Sequence, residues 1–77
     1  MNINLTDVTV HIDETLDASR LTGIEEGVRG LDGVVSVRHL ENRPHLKVVA
    51  FNLAKIDARA ILAHVVAQGV HAELIGL

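Results

Sequence analysis

A short internal repeat is the feature that most restricts the fold of this 77-residue chain. The tripeptide Leu-Asp-Ala at 16–18 is followed forty positions later by Ile-Asp-Ala at 56–58, and an aliphatic residue follows each copy, Leu21 and Ile61. Each aspartate is suited to cap a helix, because its carboxylate accepts hydrogen bonds from the free amides of the first turn. The aliphatic residues on either side are suited to pack together as a hydrophobic staple. The repeat therefore predicts two similar halves, each with a helix that begins just after the aspartate.

Apolar periodicity around the repeat predicts the strands. Residues 8–13 alternate between apolar and polar side chains, as in a strand with one buried face. The other strands are predicted at 34–40, 45–51 and 70–75. The segment 41–44 is predicted to be a turn, because Pro44 has no amide hydrogen to donate and Asn42 tolerates tight backbone angles.

Helical spacing of apolar residues completes the order of elements. Spacings of three and four predict helices over 18–31 and 58–68, each ending near a glycine, at Gly33 and Gly69. The order βαββαβ consists of two βαβ units with right-handed crossovers. We therefore expect an α+β, ferredoxin-like fold. It has a four-stranded antiparallel sheet in the order 4-1-3-2, with two helices on one face.

Composition limits the class of protein. The length predicts a single domain, residues 1–77, and 48% hydrophobic residues with one aromatic, Phe51, predict an aliphatic core. A net charge of −3 with dispersed cations argues against nucleic acid as a partner. We also expect no membrane insertion and a cytoplasmic location, because the chain has neither a long apolar run nor an export-signal pattern. No motif for a nucleophile with its base or for a phosphate-binding loop is present, so we do not expect an enzyme.

Three segments resemble the heavy-metal-associated domains of copper chaperones. Residues 31–37 are similar to that family's Leu-Pro-Gly-Val…Ser-Val segment, 51–56 to Tyr-Asp-Pro-Ala-Lys-Val, and 68–74 to Gly-Tyr-x-Ala-Glu. The resemblance covers about residues 7–77 and implies the same ferredoxin-like fold. It also aligns the family's metal motif, Met-x-Cys-x-x-Cys, with residues 15–20 of a chain that contains no cysteine.

Asp17 and Arg20 stand where the family has its two cysteines. Without thiolates this corner lacks the soft ligands that monovalent copper prefers. We expect Asp17 to cap the first helix and Arg20 to place a fixed positive charge where a metal ion would lie. The alternative is a hard-cation site formed by Asp13, Glu14 and Asp17.

Histidine offers a second route to a metal site. The strand alternation predicts that His11 and His71 lie on the outer face of the sheet, on neighbouring strands, with Glu73 and Asp13 on the same face. His11, His71 and Glu73 are thus a candidate site for zinc, nickel or divalent copper. The alternative is that these histidines are simply solvated. No partner is predicted for the other three, which are His39, His45 and His64.

Two surfaces are candidates for association. The outer face of the second and third strands is predicted to be apolar, through Val35, Leu40, Leu46, Val48 and Ala50. Such a face is usually covered, either by a twin sheet or by another protein. Gly23 and Gly27 share one stripe of the first helix with Arg20 and Gly30. Glycines in this stripe permit close approach of a partner or ligand. The alternative is that they are only small residues on an exposed face.

These observations rank three functions. We first expect a non-catalytic domain that acts by protein–protein interaction or self-association, most simply as a homodimer, in metal homeostasis and without a cofactor of its own. The second expectation is a metal-binding or chaperone domain with histidine and carboxylate ligands in place of cysteine. The third is a regulatory domain that binds a small molecule of the kind other βαββαβ domains accept.

Overall fold

A computed structural model describes residues 4–40 and 42–75 and confirms the order βαββαβ. The elements are β1 (Leu5–Ile12), α1 (Ala18–Arg29), β2 (Val34–Leu40), β3 (Arg43–Asn52), α2 (Ala58–Val66) and β4 (Ala72–Ile75). All neighbouring strands are antiparallel, and the sheet order β2-β3-β1-β4 is the predicted order read from the other edge. Both helices pack on one side of the sheet. The opposite side is called the outer face below.

The boundaries differ from the predicted ones at several ends. β1 begins at Leu5 rather than residue 8, and the helices end at Arg29 and Val66 rather than at 31 and 68. β4 begins at Ala72 rather than at residue 70, although Val70 is buried. β1 is extended by its ladder with β3, which pairs Leu5 with Asn52, whereas the helix ends shift by no more than the two residues over which a last turn commonly frays.

The predicted turn at 41–44 is shorter than expected. Asn42 has a φ of +68°, as a tight turn requires, whereas β3 already begins at Arg43 and includes Pro44. The β1–β3 ladder reaches only Leu46, and the β2–β3 register is irregular between His39 and Leu40. Pro44 therefore lies where a missing amide hydrogen breaks no regular ladder bond. Glu41 lies outside the described residues.

The helix caps follow the repeat. The Oδ1 of Asp17 accepts from the Arg20 amide at 2.8 Å, and the Oδ1 of Asp57 accepts from the Ala60 amide at 2.8 Å. At the other end of the first half, Gly33 has a φ of +100°, and a Cβ there would lie 2.8 Å from the Cβ of Lys55. A larger residue at 33 would therefore be both strained and overcrowded.

The core lies between the inner face of the sheet and the two helices. Alternate residues of β1 and β3 enter it, together with a helical stripe from α1 and α2. Its buried members are Val8, Val10, Ile12, Leu21, Ile24, Val28, Val37, Val49, Phe51, Ile61, Val65 and Val70. Full burial of an aliphatic side chain contributes roughly 1.5–3 kcal/mol, so this layer is the main stabilising element of a small domain. None of the helices in the two described ranges is both long and apolar enough to cross a bilayer.

Candidate functional site

The corner between β1 and α1 is occupied by structural contacts. Asp17 accepts hydrogen bonds from the Arg20 amide and the Ser19 hydroxyl, and these bonds lower the pKa of the Asp17 carboxyl. The Nη2 of Arg20 donates to the carbonyl oxygen of Gln68 at 2.7 Å. Arg20 thereby satisfies a free carbonyl just after α2, where a cation is favourable. The cap at Asp17 is confirmed, whereas the link from Arg20 to α2 was not predicted.

The alternative hard-cation site does not form. Glu14 accepts from the backbone amide of His71 at 2.9 and 3.0 Å, and Asp13 contacts His11. Because Asp17 caps its own helix, the three carboxylates contact three different partners. Convergence of ligand atoms, which a calcium or magnesium site needs, is therefore missing at this corner.

Three potential ligands converge instead on the outer face, where β1 pairs with β4. His11 lies directly opposite Glu73 in the ladder, and Asp13 follows β1 on the same side. The Nδ1 of His11 lies 3.0 Å from Asp13 Oδ1 and 3.7 Å from Glu73 Oε1. One ligand atom from each of these residues lies within 4.8 Å of the others. We call His11, Asp13 and Glu73 the outer-face cluster.

His71 is not a member of this cluster, which corrects the prediction. It precedes β4, and its side chain contacts Glu14 instead of His11. Its side chain is 86% exposed and its Nδ1 lies 2.8 Å from Glu14 Oε2. This hydrogen bond lowers the pKa of the Glu14 carboxyl and raises the pKa of the His71 imidazole. Asp13 takes its place, so the set is one imidazole and two carboxylates.

A groove of about 300 Å³ lies beside the outer-face cluster. It is lined by His11, Asn42, Arg43, His45, Leu46 and Ile75. The Nδ1 of His45 is shielded from solvent and has no hydrogen-bond partner within the described residues. The wall of the groove thus includes a second imidazole, whose Nδ1 is shielded from solvent, and the positive charge of Arg43, which opposes a bound cation.

A buried ion pair between α1 and β3 was not predicted from the sequence. The Lys47 side chain is only 4% exposed, and its Nζ donates to Glu25 Oε2 at 2.6 Å. His39, for which no partner was predicted, lies 3.2 Å from the same oxygen. Burial raises the pKa of Glu25, but the hydrogen bonds and charges of Lys47 and His39 outweigh it, and the net pKa is lowered. The alternation of β3 places Lys47 on the inner face of the sheet together with Val49. This alternation is the sequence signal that indicates a buried position for Lys47.

The two glycines predicted as an interaction surface have different surroundings. A Cβ on Gly27 would lie 2.9 Å from Gln68 Nε2 and 3.0 Å from His64 Nε2, whereas a Cβ on Gly23 would have no atom within 4 Å. Close approach at Gly27 is therefore made by side chains at and just after α2 of the same chain. This corrects the assignment of Gly27 to a partner surface, while Gly23 faces open space.

The apolar part of the outer face is narrower than predicted. Leu46, Val48 and Ala50 point outward along β3 and are half-buried. On β2, however, Ser36 lies opposite Ala50 and Arg38 lies opposite Val48. Of the two remaining predicted members, Val35 is 58% exposed at a register shift and Leu40 is half-buried beyond a second one. The apolar surface is thus a strip along β3.

The fold is shared with solved metal-binding domains. No family model matches the chain, and no curated protein matches its sequence. A putative copper-ion-binding protein from Bacillus anthracis is similar with a TM-score of 0.82 and 18% identity, over 94% of this chain and 100% of that one. Oxidised MerP from Ralstonia metallidurans is similar with a TM-score of 0.80 and 16% identity, over 91% and 96%. The chain has the heavy-metal-associated fold.

A third likeness extends the comparison to a eukaryote. A domain of a yeast copper transporter, studied in apo and Cu(I)-loaded states, is similar with a TM-score of 0.79 and 16% identity, over 91% of this chain and 94% of that one. At this level of identity the likeness concerns the fold alone. The heavy-metal-associated fold of this chain is therefore combined with a loop that carries no cysteine.

Proposed function

We propose that this domain binds a divalent transition-metal ion through His11, Asp13 and Glu73. The observation that supports the proposal is the convergence of one nitrogen and two oxygen ligands within 4.8 Å. His11 and Glu73 lie opposite each other on adjacent strands, and Asp13 directly follows β1, so the ligands are positioned by rigid elements. The proposed activity is binding, without a catalytic step.

The ligand types indicate the class of metal. Imidazole nitrogen and carboxylate oxygen are ligands for zinc, nickel and divalent copper, whereas monovalent copper prefers thiolates. Three protein ligands leave one position of a tetrahedral site for water or a further donor. His11 Nδ1 lies 3.0 Å from Asp13 Oδ1, so a metal that takes this nitrogen replaces that contact.

Calorimetric titration of tag-free protein with zinc, supported by native mass spectrometry, tests the proposal. The expected result is one zinc ion per chain. Binding should be lost in His11→Ala and in the double variant that combines the conservative changes Asp13→Asn and Glu73→Gln. His71→Ala is the matched control, because His71 contacts Glu14 and should leave binding unchanged. Absence of stoichiometric binding, or loss in His71→Ala but not in His11→Ala, would contradict the proposal.

A further inference from the structure

The apolar strip on β3 is flanked by charges of opposite sign. On the β2 side Arg38 is exposed, lies opposite Val48, and forms no ion pair within the described residues. On the β1 and β4 side lie Asp7, opposite Ala50, and Glu73, opposite His11. In the rows of Val48 and Ala50 the outer face therefore has a positive residue, Arg38, on one side of the apolar strip and a negative residue, Asp7, on the other, while the β4 side also carries Ile75 opposite Thr9.

This arrangement is complementary to itself under one particular symmetry. A two-fold axis that runs parallel to β3, between two facing sheets, stacks each apolar strip on the other and brings β2 over β1 of the second copy. Within one chain, Arg38 and Thr9 both lie opposite Val48 and therefore occupy the same row of the sheet. In the dimer Arg38 lies above Thr9 of the second copy, and Thr9 is two residues from Asp7 on β1. An axis perpendicular to the strands instead brings β2 over β2 and opposes two like charges.

We propose that the outer face binds a second copy of this chain in a face-to-face dimer with its two-fold axis along β3. Both Arg38 side chains face the acidic side of the other copy, because a two-fold interface repeats each contact. Leu46, Val48 and Ala50 form the apolar centre, which loses its contact with water. The charge pair that tests the proposal, Arg38 and Asp7, contains no candidate metal ligand, and the proposed ligands His11 and Glu73 lie on the same face, so association is measured in the presence of a chelator.

The size of the face predicts weak association. Three strands about 4.8 Å apart and about six residues long at about 3.3 Å per residue give a face of roughly 15 by 20 Å. This area is well below the about 800 Å² that each partner buries in a standard stable interface. The dimer should therefore be populated only at high protein concentration.

Charge-reversal variants test the proposed dimer, because a mixture of two such variants should restore the association that each variant loses. Sedimentation velocity of the full chain, in chelator and over a wide concentration series, should show a monomer–dimer equilibrium. Arg38→Glu and Asp7→Lys should each raise the dissociation constant roughly tenfold or more, because each places like charges together.

An equal mixture of the two variants should restore association. In the mixed dimer the glutamate introduced at position 38 of one chain faces the lysine introduced at position 7 of the other. The second, symmetry-related contact keeps the original Arg38 and Asp7. Both contacts then pair opposite charges, so a heterodimer should form with about the wild-type dissociation constant.

Arg59→Glu is the matched control, because it makes the same charge change at an exposed position on α2. It should leave association unchanged. Circular dichroism verifies that each variant is folded. A wild-type chain that stays monomeric at the highest concentration, or a mixture that associates no better than either variant alone, would overturn the proposed dimer.

Discussion

At the scale of the residue, Asp17 and Asp57 make the same capping contact at the starts of the two helices. The resemblance to the heavy-metal-associated domains aligns Asp17 with a cysteine of their metal motif, whereas Asp57 has no such counterpart. The shared role is therefore capping, and it explains why an acidic residue at this corner needs no metal.

Replacement of Asp57 tests the energy of the cap. Asp57→Ala should lower the free energy of unfolding by about 1 kcal/mol, because the Ala60 amide loses its acceptor. Asp57→Ser retains an oxygen acceptor and should recover most of this loss. Urea denaturation monitored by circular dichroism measures both variants, and equal stability of the alanine and serine variants would show that the cap contributes nothing.

At the scale of the element, α1 and α2 are held together by a polar bond and a close contact. Arg20 donates to the carbonyl of Gln68, and further along the same stripe Gly27 leaves room for the ends of His64 and Gln68. The glycine stripe of α1 is thus explained within the chain at Gly27, whereas Gly23 faces open space.

A matched pair of alanine variants tests this difference. Gly23→Ala should raise the free energy of unfolding by about 0.5–1 kcal/mol, because alanine is the better helix former and the site is open. Gly27→Ala should gain less or lose stability, because its Cβ forces the ends of Gln68 and His64 to shift. Equal gains in the two variants, measured by thermal and urea denaturation, would contradict the proposed contact.

At the scale of the whole molecule, ionisable contacts set the pH range of stability. The pKa of Glu25 is lowered overall, so its contribution is present above its ordinary value of about 4.5 and is lost as the pH falls through the folded pKa. The pKa of His71 is raised, so its contribution is complete below its ordinary value of about 6.5 and is lost as the pH rises through the folded pKa. Stability should therefore be highest between about pH 4.5 and 6.5.

Stability curves against pH for three proteins test this profile. Glu25→Gln should flatten the acid limb of the curve, because the carboxylate that pairs with buried Lys47 is gone. His71→Ala should remove only a shallow slope on the alkaline side, since the pair with Glu14 is exposed and screened by solvent. A Glu25→Gln variant whose acid limb matches that of the wild type would show that this ion pair does not contribute.

Local patterns in the sequence were sufficient to predict the elements and their order. The repeat at 16–18 and 56–58 located both helix starts, and apolar alternation located the strands. These features depend on contacts within a few residues, such as the bond from the amide of Arg20 to Asp17. The topology of two βαβ units followed from that order together with the rules of handedness.

The side chains that meet across the sheet and between the helices depend on the three-dimensional fold. His71 was predicted to lie beside His11, yet it contacts Glu14, 57 positions away in sequence. Lys47 and Glu25 meet across 22 positions. Asp13 rather than His71 completes the outer-face cluster, because the His71 imidazole is bonded to Glu14 just before β4 begins. Such contacts arise from long-range packing, which local patterns do not contain.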